Sequence, residues 1–238
     1  MGEGAELEEL MVMYREGRLE DALREVDKAI ERQPRNAAYH NLKGAILRRM
    51  GRPGDALAEF EEAASINPNN PAYLFNEANA LLDLGRPEDA LEKYDAAIKL
   101  DPRDPDYRYG RANALYALGR YDEAIKEYDE AIKLGSNPYY RINKAFALAK
   151  LGRTSEAVDE LEKAVKQGRR DPVVWVNYVE AMSVLWRRDE AMRRVRQAVD
   201  DGSVKREALC SAARSAESTQ LSMDEESAIR ELEESFCS

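Results

Sequence analysis

A Gly-Arg dipeptide recurs along this chain at Gly17, Gly51, Gly85, Gly119 and Gly152, at intervals of 34, 34, 34 and 33 residues. One interval further on, Trp186 stands where a glycine is due and Arg187 keeps the arginine. An alanine follows five residues later in every copy (Ala22, Ala56, Ala90, Ala124, Ala157, Ala191). Another follows seven residues beyond that (Ala29, Ala63, Ala97, Ala131, Ala164, Ala198). A period of this length makes each copy one small supersecondary unit. Such a unit cannot bury its own apolar faces and must stack on its neighbours.

Each unit reads as two helices. In residues 71–104, Pro71 suits a first helical turn, where its missing N–H costs nothing. Leu74, Ala78 and Leu81 then follow at i, i+4, i+7 on one helical face. Gly85 stops that helix, since a left-handed residue closes a helix and glycine adopts that conformation freely. Pro87 opens a second helix, with Ala90, Leu91, Tyr94, Ala97 and Ile98 as its apolar stripe. Asp101-Pro102 ends it, because the residue before proline is pushed out of the helical region. About three residues join the two helices, so they are expected to be antiparallel neighbours.

Small residues recur where the two helices would approach: Gly44, Ala78, Ala112 and Ala145 at the eighth position, Ala56, Ala90, Ala124 and Ala157 at the twentieth. Phe60, Tyr94, Tyr128 and Leu161 at the twenty-fourth are expected to fill the gap towards the next unit. With Pro34, Pro68 and Pro102 at the thirty-second, the pattern resembles the tetratricopeptide repeat family; Ser136 and Arg169 depart from it. The resemblance covers about residues 3–203, divided as 3–36, 37–70, 71–104, 105–137, 138–171 and 172–203. The last copy is degenerate at Val179 and Trp186. It implies an all-α fold, a right-handed α-solenoid of antiparallel helix pairs. Residues 204–238 lack the signature and read as a C-terminal cap or tail. Helices are expected at Val204–Ala216 and Asp224–Phe236, with a polar break at Glu217–Ser222.

Composition excludes several functions. The 36 basic against 46 acidic side chains give a net charge of −10, which makes a general nucleic-acid binder an unfavourable reading. One histidine and two cysteines leave little for metal or nucleophile chemistry, so no catalytic residue, metal or cofactor is expected. His40 is read as a packing residue between helices. The first ten residues, MGEGAELEEL, do not form a secretory signal, and no stretch approaches the ~20 apolar residues that span a bilayer. Cys210 and Cys237 could pair, but two cysteines are no disulfide framework. A soluble cytoplasmic protein is expected.

The resemblance also implies where a partner would sit. In this family the first helix of each repeat lines a concave groove. Projecting its positions gives Phe75, Asn76 and Asn79 from the third repeat, then Tyr109, Asn113 and Tyr116 from the fourth. The fifth supplies Tyr139, Ile142, Asn143 and Phe146, and the sixth Val176, Asn177 and Glu180. Asparagine is mildly unfavourable inside helices, yet its carboxamide both donates and accepts and can pair with an extended backbone. A similar asparagine ladder occurs in the repeats that grip peptides in O-linked glycosyl transfer. The family's carboxylate clamp is not matched: Phe75, Asn79, Gly110, Tyr139 and Asn143 stand at its positions. Arg108, Arg111, Arg141 and Lys144 fall elsewhere.

Charge is uneven. Residues 163–206 hold 11 basic and 6 acidic side chains, with Arg187, Arg188, Arg193, Arg194 and Arg196 close together. Residues 207–238 hold 2 basic and 8 acidic ones, so the acidic tail is expected to neutralise the basic repeat. The function expected is a scaffold or adaptor holding another protein's peptide segment in the groove. The alternatives are a self-assembling scaffold and a nucleic-acid-associated protein using the basic sixth repeat.

Overall fold

The computed structural model describes residues 3–216 and 223–237, so the expected break at Glu217–Ser222 lies outside the described residues. Every regular element among the described residues is an α-helix. The chain divides into two compact units, Met1–Gly119 and Arg120–Ser238.

The first unit holds α1 (Glu3–Arg15), α2 (Leu19–Arg32), α3 (Ala37–Arg49), α4 (Pro53–Ile66), α5 (Pro71–Asp83), α6 (Pro87–Leu100) and α7 (Pro105–Ala117). The second holds α8 (Tyr121–Leu134), α9 (Pro138–Lys150), α10 (Thr154–Gln167), α11 (Pro172–Val184), α12 (Arg188–Asp200), α13 (Arg206–Ala216) and α14 (Met223–Phe236). Consecutive helices pack as pairs, α3 on α4 and α5 on α6 in the first unit, α9 on α10 and α11 on α12 in the second. Within each unit the pairs stack, α4 against α5 and α6 against α7, then α8 against α9 and α10 against α11.

The recurring dipeptide has a structural cause. Gly17, Gly51, Gly85, Gly119 and Gly152 all take the left-handed conformation, with φ between +70° and +77°. The N–H of the following arginine then reaches five residues back: Arg18 to Met13 O at 3.0 Å, Arg52 to Leu47 O and Arg86 to Leu81 O at 2.9 Å. This bond satisfies a carbonyl that the helix end would otherwise strand. The same arginine side chain pairs with an acid three residues on: Arg52–Asp55 and Arg86–Asp89 at 2.6 Å, Arg120–Glu123 and Arg153–Glu156 at 2.7 Å. These pairs are exposed and orient the turn more than they stabilise it.

The opposite end of each repeat is capped. The side chains of Asn36, Asn70, Asp104, Asn137 and Asp171 accept from the backbone N–H two residues on, at 2.9–3.1 Å, and open α3, α5, α7, α9 and α11. They satisfy orphan donors of the first helical turn.

Packing follows the small residues. The Phe60 ring lies over Gly44 of its own helix pair and shares one buried cluster with Ala78, Ala80 and Leu81 of the next repeat. A Cβ at Gly44 would come within 2.6 Å of the ring. Tyr94 also reaches forward, and a Cβ at Gly110 in α7 would come 2.7 Å from its Cζ. His40 is buried as expected: its Nδ1 meets Glu59 Oε2 at 2.7 Å and its Nε2 meets the Pro34 carbonyl at 2.9 Å.

At the C-terminus, α13 and α14 both pack on α11 and on each other. Leu209, Ala213, Ala228, Ile229, Leu232 and Phe236 are buried there. The first of these helices starts at Arg206, not Val204. Val204 is buried in the preceding turn, its N–H bonded to Ala198 O at 3.2 Å. A disulfide joins Cys210 of α13 to Cys237, just beyond α14, with the Cα atoms 5.7 Å apart.

Candidate functional site

In the first unit the projected groove residues are largely engaged with the protein itself. Phe75 of α5 is half-buried, its ring centroid 5.2 Å from that of Tyr107 and 5.9 Å from that of Tyr94. Asn76 Nδ2 donates to Asn41 Oδ1 at 2.8 Å, a carboxamide rung between α5 and α3. Asn79 Oδ1 accepts from the Tyr94 hydroxyl at 2.6 Å. Burial pushes that phenol far above its ordinary range, so it remains a donor and fixes the Asn79 rotamer. Tyr109 is likewise raised by burial, partly offset by its hydrogen bond to Asn113. Tyr116 of α7 is half-buried.

In the second unit the Tyr139 hydroxyl donates to Asp171 Oδ2 at 3.1 Å, bracing the residue that caps α11. Asn143 and Phe146 are half-buried on α9. Ile142, projected onto the same face, is only 1% exposed and belongs to the core. Asn177 of α11 lies in a cleft of about 600 Å³ between α11 and α13, bordered by Val173, Val176, Glu180, Ala208 and Ala212. Among the described residues no hydrogen-bond partner meets its carboxamide. The α13 wall of this cleft is not visible from the repeat pattern, because Ala208 and Ala212 fall in the segment read as a tail.

Arg141 and Lys144 of α9 are occupied. Glu160, 7% exposed on α10, takes Arg141 at 2.7 Å, Lys163 at 2.9 Å and Lys144 at 3.4 Å. Burial pushes its carboxyl up, but the hydrogen bonds from Lys163 and Arg141 and the charge of Lys144 outweigh this and hold it below the ordinary range.

The arginines of α12 and Arg187 just before it divide. Arg187 pairs with Glu190 at 2.5 Å, and Arg194 with Glu162 at 3.4 Å while its guanidinium lies over Trp175. Arg188 meets Ser227 at 3.1 Å and Glu231 at 3.7 Å on α14, and Arg196 lies over the Phe236 ring. The tail therefore takes Arg188 by charge and Arg196 by its ring, and leaves Arg193 exposed without a partner among the described residues. No cluster of His, Cys, Asp and Glu able to hold a metal ion occurs among the described residues. No helix among them is long and apolar enough to cross a membrane.

Family models described as tetratricopeptide repeat match residues 11–71 and 75–141, and a further one matches 138–163. The chain belongs to the tetratricopeptide repeat family. Proteins of this family are generally non-enzymatic and bind other proteins. No curated protein matches the chain. Among solved structures it is similar to TTC0263, a thermophilic tetratricopeptide protein of Thermus thermophilus. The TM-score is 0.68 at 22% identity, covering 76% of this chain and 99% of that one. A tetratricopeptide repeat protein of Parabacteroides merdae aligns with a TM-score of 0.66 at 19% identity, over 99% of this chain and 98% of that one. YrrB, described as having an unusual peptide-binding site, aligns with a TM-score of 0.55 at 21% identity, over 68% of this chain and 84% of that one. At these identities the likeness is one of fold.

Proposed function

We propose that this tetratricopeptide protein is a scaffold or adaptor that holds an extended segment of another protein on first-in-pair helices of its second unit. The cleft between α11 and α13 is the main seat. The observation that carries this is Asn177, a carboxamide with no internal partner among the described residues, set between apolar walls. Such a group can donate to a peptide carbonyl and accept from a peptide N–H, while Val173, 43% exposed, offers contact to a side chain. The likeness to YrrB supports the reading as an analogy of fold. Asn76 and Asn79 are not part of this seat, and each already spends a hydrogen bond inside the first unit.

A displayed random-peptide library selected on the wild-type protein tests this. Selected peptides should bind Asn177→Ala about threefold to tenfold more weakly, the loss of one or two hydrogen bonds. Val173→Glu should abolish binding. Peptides that bind both variants as well as wild type would move the seat elsewhere.

Location follows a separate argument. The Cys210–Cys237 disulfide favours an oxidising compartment, whereas the cytoplasm expected from the sequence would keep both as thiols. Thiol titration of protein isolated without reductant decides between them.

A further inference from the structure

Trp186 is the one non-glycine residue with positive φ among the described residues, at +59°. It closes α11 as the glycines close their helices, with the Arg187 N–H still bonded to Met182 O at 2.9 Å. A bulky side chain is disfavoured in this conformation. Burial gives it no return, because Trp186 is 85% exposed, the most exposed of the large apolar side chains described. Beside it is a cavity of about 490 Å³ bordered by Ser183, Arg187, Arg188, Asp189, Glu190 and Arg193. It shares no residue with the α11–α13 cleft.

We infer that this turn is a second binding site, for a short acidic protein segment carrying an apolar side chain. The indole offers a rigid apolar platform at low entropic cost, and tryptophan and arginine are among the residue types enriched at the energetic centre of interfaces. Charge decides the partner's chemistry. Among the described residues Arg193 is the guanidinium of this cavity with no carboxylate partner, since Arg187 is held by Glu190 and Arg188 by Ser227 and Glu231. Asp189 on the rim repels a run of negative charge, so the site fits one or two carboxylates placed beside the apolar group. A nucleic acid fits poorly: one free arginine releases few counterions, and a chain of net charge −10 repels a long polyanion.

The test uses fluorescein-labelled decapeptides in which aspartates and glutamates flank a single leucine or phenylalanine. Asn/Gln versions and a single-stranded oligothymidylate serve as controls. The acidic peptide should bind and shift the emission of Trp186, since Trp175 is already buried. Trp186→Gly and Arg193→Glu should each weaken binding at least tenfold. Trp186→Gly should at the same time hold or raise Tm, because glycine relieves the backbone. A lower Tm with unchanged peptide binding would make Trp186 a structural residue and overturn the proposal. So would failure of the acidic peptide to bind, preference for the oligonucleotide, or concentration-dependent association that Trp186→Gly abolishes. That last result would make a second copy of the chain the occupant.

Discussion

Two helical glycines of the first unit answer alanine in opposite ways. Gly54 in α4 has nothing within 4 Å of where a Cβ would stand. Gly54→Ala should therefore stabilise by about 0.5–1 kcal/mol through the lost flexibility of the unfolded chain. Gly110 in α7 has the Tyr94 ring in that space, and the ring is wholly buried. Gly110→Ala forces the ring aside and should destabilise by about 1–3 kcal/mol despite the better helix former. Urea titrations of the two variants read both signs. Glu160 supplies the pH dependence at this scale. Its folded-state pKa is depressed, so its contribution is present above the unfolded carboxylate range and lost as pH falls through the lower folded value. Glu160→Leu strips Arg141 of its carboxylate, while Lys144 keeps Asp129 at 2.7 Å, and should cost about 2–3 kcal/mol at neutral pH. Below the folded pKa the difference should shrink. A difference that does not change with pH would mean that Arg141 finds another partner.

The helix is the scale at which capping acts. Asp171 accepts from Val173 N–H at 2.9 Å and also takes the Tyr139 hydroxyl. Asp171→Ala should lower stability by about 1 kcal/mol and speed hydrogen exchange at the Val173 amide, while Asp171→Asn should retain most of the cap. Helix ends were largely legible in the sequence, because proline, glycine and a fixed period act locally. Pro71, Gly85 and Pro87 bound their helices close to where the residues alone put them. The caps are equally readable, since Asn36, Asn70, Asp104, Asn137 and Asp171 recur on the same period. What did not follow was the state of each projected groove residue. A repeat position gives an angle around the helix axis, not which neighbour reaches into that space. Asn79 holds the hydroxyl of Tyr94, Ile142 sinks into the core, and Asn177 is open because α13, which has no repeat signature, forms the opposite wall.

At the scale of the whole molecule, the C-terminal helices show what a repeat array needs at its end. A last repeat leaves an apolar face that must be covered. Here α14 covers α11 with Ala228, Ile229, Leu232 and Phe236, all buried, and the Cys210–Cys237 bridge closes the loop that carries it. Two contributions can be separated by experiment. Cys237→Ser keeps the helix and its apolar stripe but opens a loop of 27 residues' separation, which should cost about 3.5 kcal/mol by chain entropy. Deleting residues 223–238 removes the bridge and also the stripe, so it should lower Tm further, expose apolar surface to a dye and promote association. Were α14 instead a latch over a binding face, the deletion would raise affinity for the selected peptides while stability fell no more than in Cys237→Ser. The contacts favour the cap. The stripe faces α11 and α13, and Arg188 and Arg196 of α12 reach Glu231 and Phe236 from the side. The deletion should therefore leave peptide affinity unchanged wherever the truncated chain remains folded, and thermal melts beside fluorescence titrations on the two variants measure both quantities.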